Sequence, residues 1–227
     1  MVQHLKRLAS PASWPISRKV NTWIQAPRGG HAYGFSVPLS QVMTGMLELA
    51  KTRKEVRYII AEKGVKINGK DVSSEKASCG LFDVITFPAT KQNFTIILNS
   101  RGKLVLHELS ETEAKTKLAS IIGKKYLAKK KVQLNLFGGL NITTDKDTYG
   151  VGDTLVLSVE DYKIKDHVKL EKGAMVYLMT GKNIAMTATV EAVDGSTVTC
   201  KTENNTFLVD KKALYVVGKG KPLLKLD

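Results

Sequence analysis

The spacing of apolar positions predicts a helix–helix–hairpin unit in the first half of the chain. Across residues 39–50, apolar side chains recur at intervals of three and four, as on one face of a helix. Residues 52–55, Thr-Arg-Lys-Glu, form a capping box that predicts the start of a second helix, and Gly64 predicts its end. Residues 65–72, VKINGKDV, place Asn-Gly between two alternating runs, which is typical of a β-hairpin. A strand, DVITF, follows at residues 83–87.

The rest of the chain has mostly the pattern of short strands. NFTIILN and KLVLHEL flank Ser100-Arg101-Gly102, which predicts another hairpin with a cation in its turn. Ser110-Glu111-Thr112-Glu113 is a second capping box. We expect it to open a helix whose buried face carries Ala114, Leu118, Ile121 and Ile122. From Lys172 onward, four alternating segments separated by turn signals predict a small β-barrel.

Residues 1–38 differ from the remainder in composition. Four prolines and three glycines interrupt this segment too often for a long helix, so we expect an extension rather than part of a core. Four aromatic residues are interleaved with cations, which suits stacking on RNA bases: Trp14, Trp23, Tyr33 and Phe35. The two tryptophans fit a second interpretation equally well, in which they dock the segment on its own domain.

The charge balance indicates a polyanionic partner. Thirty-five Lys and Arg against 21 Asp and Glu give a formal net charge of +14, with a pI near 9.7. A surplus of this size favours nucleic acid first and an anionic membrane a distant second. The surplus is strongest in residues 1–47, which contain five Lys and Arg and no acidic residue.

The remaining chemistry of the sequence is sparse. Cys79 and Cys200 lie far apart and the four His residues are scattered, so we expect buried, reduced thiols in a cytosolic protein with no metal and no cofactor. The basic N-terminal stretch has no apolar run behind it, which argues against a secretory signal. No apolar stretch approaches the ~18 residues that a transmembrane helix needs.

Seven blocks of sequence carry a family resemblance. They are HLKRLASPASW (4–14), KINGKDV (66–72), GLFDVITF (80–87), RGKLVLHELSETEAKTKL (101–118), VQLNLFGGLNI (132–142), YGVGDTLVL (149–157) and EKGAMVYLMTGKN (171–183). In this order and spacing they resemble the small-ribosomal-subunit protein-four family of archaea and eukaryotes, which is distinct from the bacterial protein of that number. The resemblance covers nearly the whole chain.

The resemblance implies an α+β protein of several domains. Its parts would be a basic N-terminal extension (1–38), an RNA-binding helix–helix–hairpin domain (39–92), a β-rich family-specific central domain with one helix (93–170), an SH3-like KOW barrel (171–218) and a basic tail (219–227). After Gly181-Lys182-Asn183, the glycines that the family carries are replaced by IAMTATV. Because glycine permits a bulged turn, we expect the barrel to fold but its usual binding loop to be altered.

The function implied by the resemblance is structural. The protein would bind and position ribosomal RNA within the small subunit, beside neighbouring ribosomal proteins in the cytoplasm. We expect no membrane, no small-molecule substrate and no homo-oligomer. The cations expected to contact RNA, with one histidine, are His4, Lys6, Arg7, Arg18, Lys19, Arg28, Lys51, Arg53, Lys54, Arg57, Lys66, Lys70, Arg101, Lys103, Lys124, Lys125, Lys129, Lys130, Lys131 and Lys182.

Two other functions fit parts of the sequence. An RNA-modifying enzyme would need a catalytic domain with a positioned carboxylate or a cofactor fold. Asp83, Asp145, Asp147 and Asp153 have ordinary interpretations as turn or strand-edge residues, and YGVGD lacks the strand–helix context of a nucleotide loop. We therefore expect no enzymatic activity and no catalytic residues. The second alternative is a non-ribosomal KOW protein, such as a transcription or ribosome-assembly factor, which would not need the HLKRLASPASW segment.

Overall fold

The chain folds into two compact units, and most of the regular structure in both is antiparallel β-sheet. The computed structural model describes residues 4–128, 131–145, 147–202 and 205–223. The first unit is Met1–Lys115 and the second is Thr116–Asp227. Lys129 and Lys130, two of the cations predicted to contact RNA, lie outside the described residues.

The arm at the start of the first unit is folded into that unit. Strands β1 (Leu5–Lys6) and β2 (Trp23–Ile24) pair as an antiparallel ribbon. Between them Trp14 is only 1% exposed, and its indole nitrogen donates to the carbonyl oxygen of Tyr33 at 3.0 Å. Most of residues 4–38 stay exposed or half-buried, and Trp14 docks this segment on its own unit, as the second interpretation of the tryptophans expects. Burial of one large aromatic side chain holds a segment that has little regular secondary structure.

The two predicted helices differ in length. α1 (Leu39–Gln41) continues as a π-helical turn over Val42–Met46 and stops before Glu48, whose φ of +53° leaves the helical region. α2 spans Arg53–Lys63, with Thr52 as its N-cap. The Thr52 side-chain oxygen accepts from the backbone N–H of Glu55 at 3.3 Å, as the capping box predicts.

The hairpin at residues 66–71 begins a five-stranded sheet. Asn68 and Gly69 have φ values of +50° and +78°, which are those of the tight turn that Asn-Gly favours. A boundary at 92/93 falls inside one strand of this sheet, Gln92–Leu98. The sheet order is β5-β4-β7-β8-β9, with β4 at Lys66–Ile67, β5 at Lys70–Asp71, β7 at Val84–Phe87, β8 at Gln92–Leu98 and β9 at Leu104–Leu109. A separate pair joins β3 (Ser36–Pro38) to β6 (Ser78–Gly80).

The prediction of a helix after Ser110 is wrong. The capping contacts exist, since the Ser110 hydroxyl donates to the Glu113 carboxylate at 2.6 Å, but only a 3-10 turn follows, Glu113–Lys115. The chain then continues as the long strand β10, Thr116–Tyr126, at the start of the second unit. β10 pairs with a strand on each side, and this pairing overrides the local helix signal.

The second unit contains two antiparallel sheets. The first has the order β12-β11-β10-β13-β14, with β11 at Val132–Leu136, β12 at Asn141–Thr144, β13 at Thr154–Ser158 and β14 at Ile164–Val168. The second has the order β18-β17-β16-β15-β19-β20, with β15 at Ala174–Leu178, β16 at Thr187–Asp194, β17 at Thr197–Lys201, β18 at Thr206–Asp210, β19 at Leu214–Lys219 and β20 at Lys221–Pro222. The Tyr215 hydroxyl accepts from the backbone N–H of Ser120 at 3.1 Å and links the two. In the described chain, α2 is the only α-helix longer than three residues, so helix is a smaller share of the fold than the α+β prediction implies.

Candidate nucleic-acid interface

Two arginines of the arm are directed at the arm's own backbone. The Arg18 guanidinium donates to the carbonyl oxygens of Leu8, Ser10 and Pro11 at 3.2, 3.0 and 2.8 Å. Arg7 donates to another arm carbonyl at 3.0 Å. Because carbonyl groups in irregular segments need donors, these arginines replace the hydrogen bonds that a helix or sheet would supply. Their first role is to shape the arm, and both side chains are half-buried.

The outer side of the β1–β2 ribbon carries exposed aromatic and cationic side chains. The strand register places Lys6 directly opposite Trp23, and both are exposed. The His4 ring lies 5.7 Å from the Trp23 ring, at an interplanar angle of 58°. Lys19 is also exposed. The two tryptophans thus have opposite environments, since Trp14 anchors the arm while Trp23 faces solvent.

Glu75 holds two arginines of α2 on the surface. Its side chain is only 5% exposed, whereas those of Arg53 and Arg57 are 57% and 62% exposed. Arg57 reaches both carboxylate oxygens, at 3.1 and 2.9 Å, and Arg53 forms an ion pair with the same group. The two arginines are one turn apart on α2, as predicted, and both pair with an acidic residue from a loop that is distant in sequence.

The electrostatics of this cluster favour the charged forms. Burial by itself would raise the pKa of Glu75, but the hydrogen bonds from Arg57 and Arg53 outweigh it and hold the pKa at about 2. The same contact raises the pKa of Arg57. One buried negative charge thus fixes two guanidinium groups, which leaves a net positive surface whose outer N–H groups face solvent.

Sequence reasoning missed Glu75. Its only signal is that it stands as the single acidic residue in VSSEKASCGLF, residues 72–82. Nothing in that loop indicates contact with a helix about twenty residues earlier.

The hairpin tip is fixed from beneath by a buried acid. Asp83 accepts from the side-chain amide of Asn68 at 2.9 Å and from the backbone N–H of Gly80 at 2.8 Å. The His31 ring nitrogen lies 2.9 Å from the same carboxylate. The Asn68 amide oxygen in turn accepts from the N–H of Val84 at 3.0 Å. Asp83 stands directly before strand β7, at the strand edge as the sequence suggested, and its buried carboxylate is also a centre of hydrogen bonds.

A cavity beside the hairpin brings together two of the predicted cations. It has a volume of about 390 Å³, and its polar lining consists of Arg28, Lys70, one acidic residue, Asp71, and three serines, Ser73, Ser74 and Ser78. Cations and hydroxyl groups are the donors that phosphate oxygens accept from. Lys66 lies on the neighbouring strand, 3.8 Å from the Asp71 carboxylate.

The other predicted cations are dispersed. Those exposed and not yet described are Lys51, Lys54, Arg101, Lys103, Lys125, Lys131 and Lys182. Lys124 is different, because it donates to the carbonyl oxygen of Tyr149 at 3.0 Å and forms an ion pair with Asp147. This lysine ties β10 to a neighbouring loop of the second unit.

The described residues lack the usual marks of metal or membrane chemistry. Within them, no group of three or more His, Cys, Asp or Glu is arranged to hold a metal ion. In the same part of the chain, no helix has the length and apolar character needed to cross a membrane.

Burial raises the pKa of the Cys79 thiol, and raises that of Cys200 to about 11. Both thiols are free and buried.

Comparison with known proteins identifies the family. The family model described as Ribosomal family S4e matches residues 90–164, and that of the RS4NT (NUC023) domain matches residues 2–32. The chain is 34% identical to the small ribosomal subunit protein eS4 of Methanosphaera stadtmanae, over 99% of this chain and 95% of that protein. The chain belongs to the ribosomal S4e family.

Further relatives agree with this membership. The small ribosomal subunit protein eS4 of Korarchaeum cryptofilum is 32% identical, over 99% of this chain and 97% of that protein. The crystal structure of the 30S ribosomal protein S4e from Thermoplasma acidophilum is similar in fold, with a TM-score of 0.72 and 27% identity. The match covers 83% of this chain and 98% of that one. The family resemblance seen in the sequence is therefore confirmed.

Proposed function

We propose that the protein is a structural constituent of the small ribosomal subunit that binds and positions ribosomal RNA. The observation that carries the proposal is the 34% identity, over 99% of this chain, to a protein named small ribosomal subunit protein eS4. A family of this kind is structural and not enzymatic, which argues against an RNA-modifying enzyme. Its partners would be the RNA and neighbouring ribosomal proteins in the cytoplasm, and the protein would act as a single copy.

The cationic groups of the first unit would supply the RNA affinity. Glu75 holds Arg53 and Arg57 in fixed positions, so little side-chain freedom is lost when their outer N–H groups bind phosphate. Arg28 and Lys70 line one cavity next to the hairpin. Phosphate contacts would hold the protein in position, and the shape of the RNA would determine which site the protein binds. If five cations engage, counterion release predicts a log–log salt slope of roughly −3.5.

The division into domains is part of the proposal. Residues 39–92 would be the core of the RNA-binding domain, and residues 171–218 a KOW-type SH3-like barrel. Support for the barrel comes from its antiparallel strand order, in which β15 pairs with both β16 and β19. In the loop that lacks the family's glycines, Ala185 has a φ of +67°. Its N–H donates to the carbonyl oxygen of Leu178 at 2.8 Å, so the loop retains a left-handed position without glycine.

A paired charge reversal on the hairpin tests the proposal. We expect Lys66→Glu with Lys70→Glu to weaken binding to small-subunit ribosomal RNA and to flatten the salt slope by roughly 1.4, the value for two lost contacts. The matched control is Lys163→Glu with Lys165→Glu, which changes the net charge equally on two exposed lysines outside the predicted set. Filter binding against salt concentration gives both quantities, and circular dichroism checks the fold. If both double variants weakened RNA binding equally, net charge alone would account for the binding, and the hairpin would be a sheet edge with no specific RNA contact.

A further inference from the structure

An exposed indole on the arm lacks a structural explanation within the unit. Trp23 is 57% exposed, although Trp14 of the same arm is 1% exposed, and the nearby sequence also exposes Leu8 and Val20. Large apolar side chains grouped in one exposed segment indicate an interaction site more often than chance placement. The stability of the arm already rests on Trp14 and on the Arg18 hydrogen bonds, so Trp23 is available for a partner.

The strand register gathers three functional groups on one face of the ribbon. Residues directly opposite one another in an antiparallel pair project to the same side, and Lys6 is opposite Trp23. His4 precedes Lys6 by two positions, so strand alternation directs it to that same side. The contact between the His4 and Trp23 rings agrees with this placement. Because the rings are tilted by 58° and not parallel, His4 does not cover the indole face as a stacked ring would.

The ribbon is held in place before any partner arrives. The N–H of Arg7 donates to the carbonyl oxygen of Thr22 at 2.9 Å, next to the paired residues. Arg18 ties the intervening segment through three carbonyl groups. A preformed aromatic surface loses little conformational entropy when it binds, which increases the affinity of each contact.

We propose that Trp23, His4 and Lys6 form a platform that stacks on an unpaired RNA base, with Lys6 on an adjoining phosphate. Aromatic faces beside cations bind single-stranded nucleic acid in this way, because every base offers a π-face and every linkage a negative charge. Residues 1–47 contain no acidic side chain that would repel the backbone. This inference rests on the proposed RNA-binding function and adds the kind of RNA feature that the arm recognises. The surface charge favours RNA over a protein partner.

Two oligomers of equal length and charge separate stacking from electrostatics. One is a short single-stranded oligo(A), and the other is the same ribose-phosphate chain without bases. We expect the full-length protein to bind oligo(A) about tenfold more tightly, as ~1.4 kcal/mol of stacking predicts. In Trp23→Leu this preference should disappear, while binding to the abasic chain stays unchanged. Tyr58→Leu is the control, because it removes an exposed aromatic side chain of α2 in the same unit.

Tryptophan fluorescence provides a second readout on the same samples. The two tryptophans differ in exposure, so iodide quenches Trp23 selectively. Oligo(A) should quench the wild-type emission and protect Trp23 from iodide, and Trp14 emission in Trp23→Leu should show that the fold is intact.

The outcomes separate a failure of the stacking platform from a failure of the proposed RNA-binding function. Equal affinity for the two oligomers, with Trp23 still open to iodide, would overturn the stacking platform and point to a protein contact there. Persistence of the base preference in Trp23→Leu would also overturn it. Failure of both oligomers to bind would overturn the platform alone if the protein still bound small-subunit ribosomal RNA in the filter assay, and the proposed RNA-binding function as well if it did not.

Discussion

Replacing Glu75 with glutamine removes the negative charge that forms ion pairs with Arg53 and Arg57 of α2. Glu75 has an ordinary pKa of 4.5 and a folded-state pKa of about 2. A group whose pKa is lowered by folding contributes stability above its unfolded value and loses it as the pH falls through the folded value. The contribution is therefore complete above about pH 4.5 and disappears towards pH 2.

The size of the effect follows from the pKa difference. The difference of about 2.5 corresponds to ~3.4 kcal/mol at 1.36 kcal/mol per unit. The arginine side chains are more than half exposed, and water screens their side of the interaction, so we expect about 2 kcal/mol. Glu75→Gln should lower the free energy of unfolding by this amount at pH 7. The deficit should shrink steadily between pH 4.5 and pH 2.

Urea unfolding measured through tryptophan fluorescence provides the assay. Both tryptophans belong to the first unit, and buried Trp14 gives the larger change on exposure. Glu62→Gln is the control, since it neutralises an exposed glutamate at the other end of α2. If Glu75→Gln were as stable as the wild type at pH 7, or if its deficit stayed constant in acid, the assigned role of the ion pairs would be refuted.

Two further substitutions test local backbone geometry. Ala185→Gly should stabilise the second unit by about 0.5–1 kcal/mol, because glycine relieves the strain at a φ of +67°; a lower urea midpoint by circular dichroism would contradict this. Asn68→Ala should destabilise the first unit by about 2–3 kcal/mol, since it removes the contacts with Asp83 and Val84 at another positive-φ position. An unchanged midpoint in tryptophan fluorescence would contradict the hairpin network.

Features encoded by adjacent residues could be predicted from the sequence. The Thr52 cap and the Asn68-Gly69 turn depend on neighbours within four positions, and both have the expected local geometry. The family resemblance was similarly readable, because its blocks are continuous.

Features that depend on distant residues could not be predicted. Glu75 meets Arg53 and Arg57 across gaps of 22 and 18 residues. The strand at 116–126 forms because its partners lie at 132–136 and 154–158, while the local signal before it favours a helix. Composition could not separate buried Trp14 from exposed Trp23, since both stand in proline-rich, acid-free sequence and only tertiary packing distinguishes them.

The central claim is that this cationic chain is held in the small ribosomal subunit by its RNA. The most direct measurement is gradient sedimentation of the tagged protein from its own cells, after a high-salt wash, followed by mapping of crosslinked RNA nucleotides. The account predicts recovery with the small subunit and crosslinks from the first unit to small-subunit ribosomal RNA. Recovery with RNA polymerase, or release to the top of the gradient without RNA crosslinks, would contradict it.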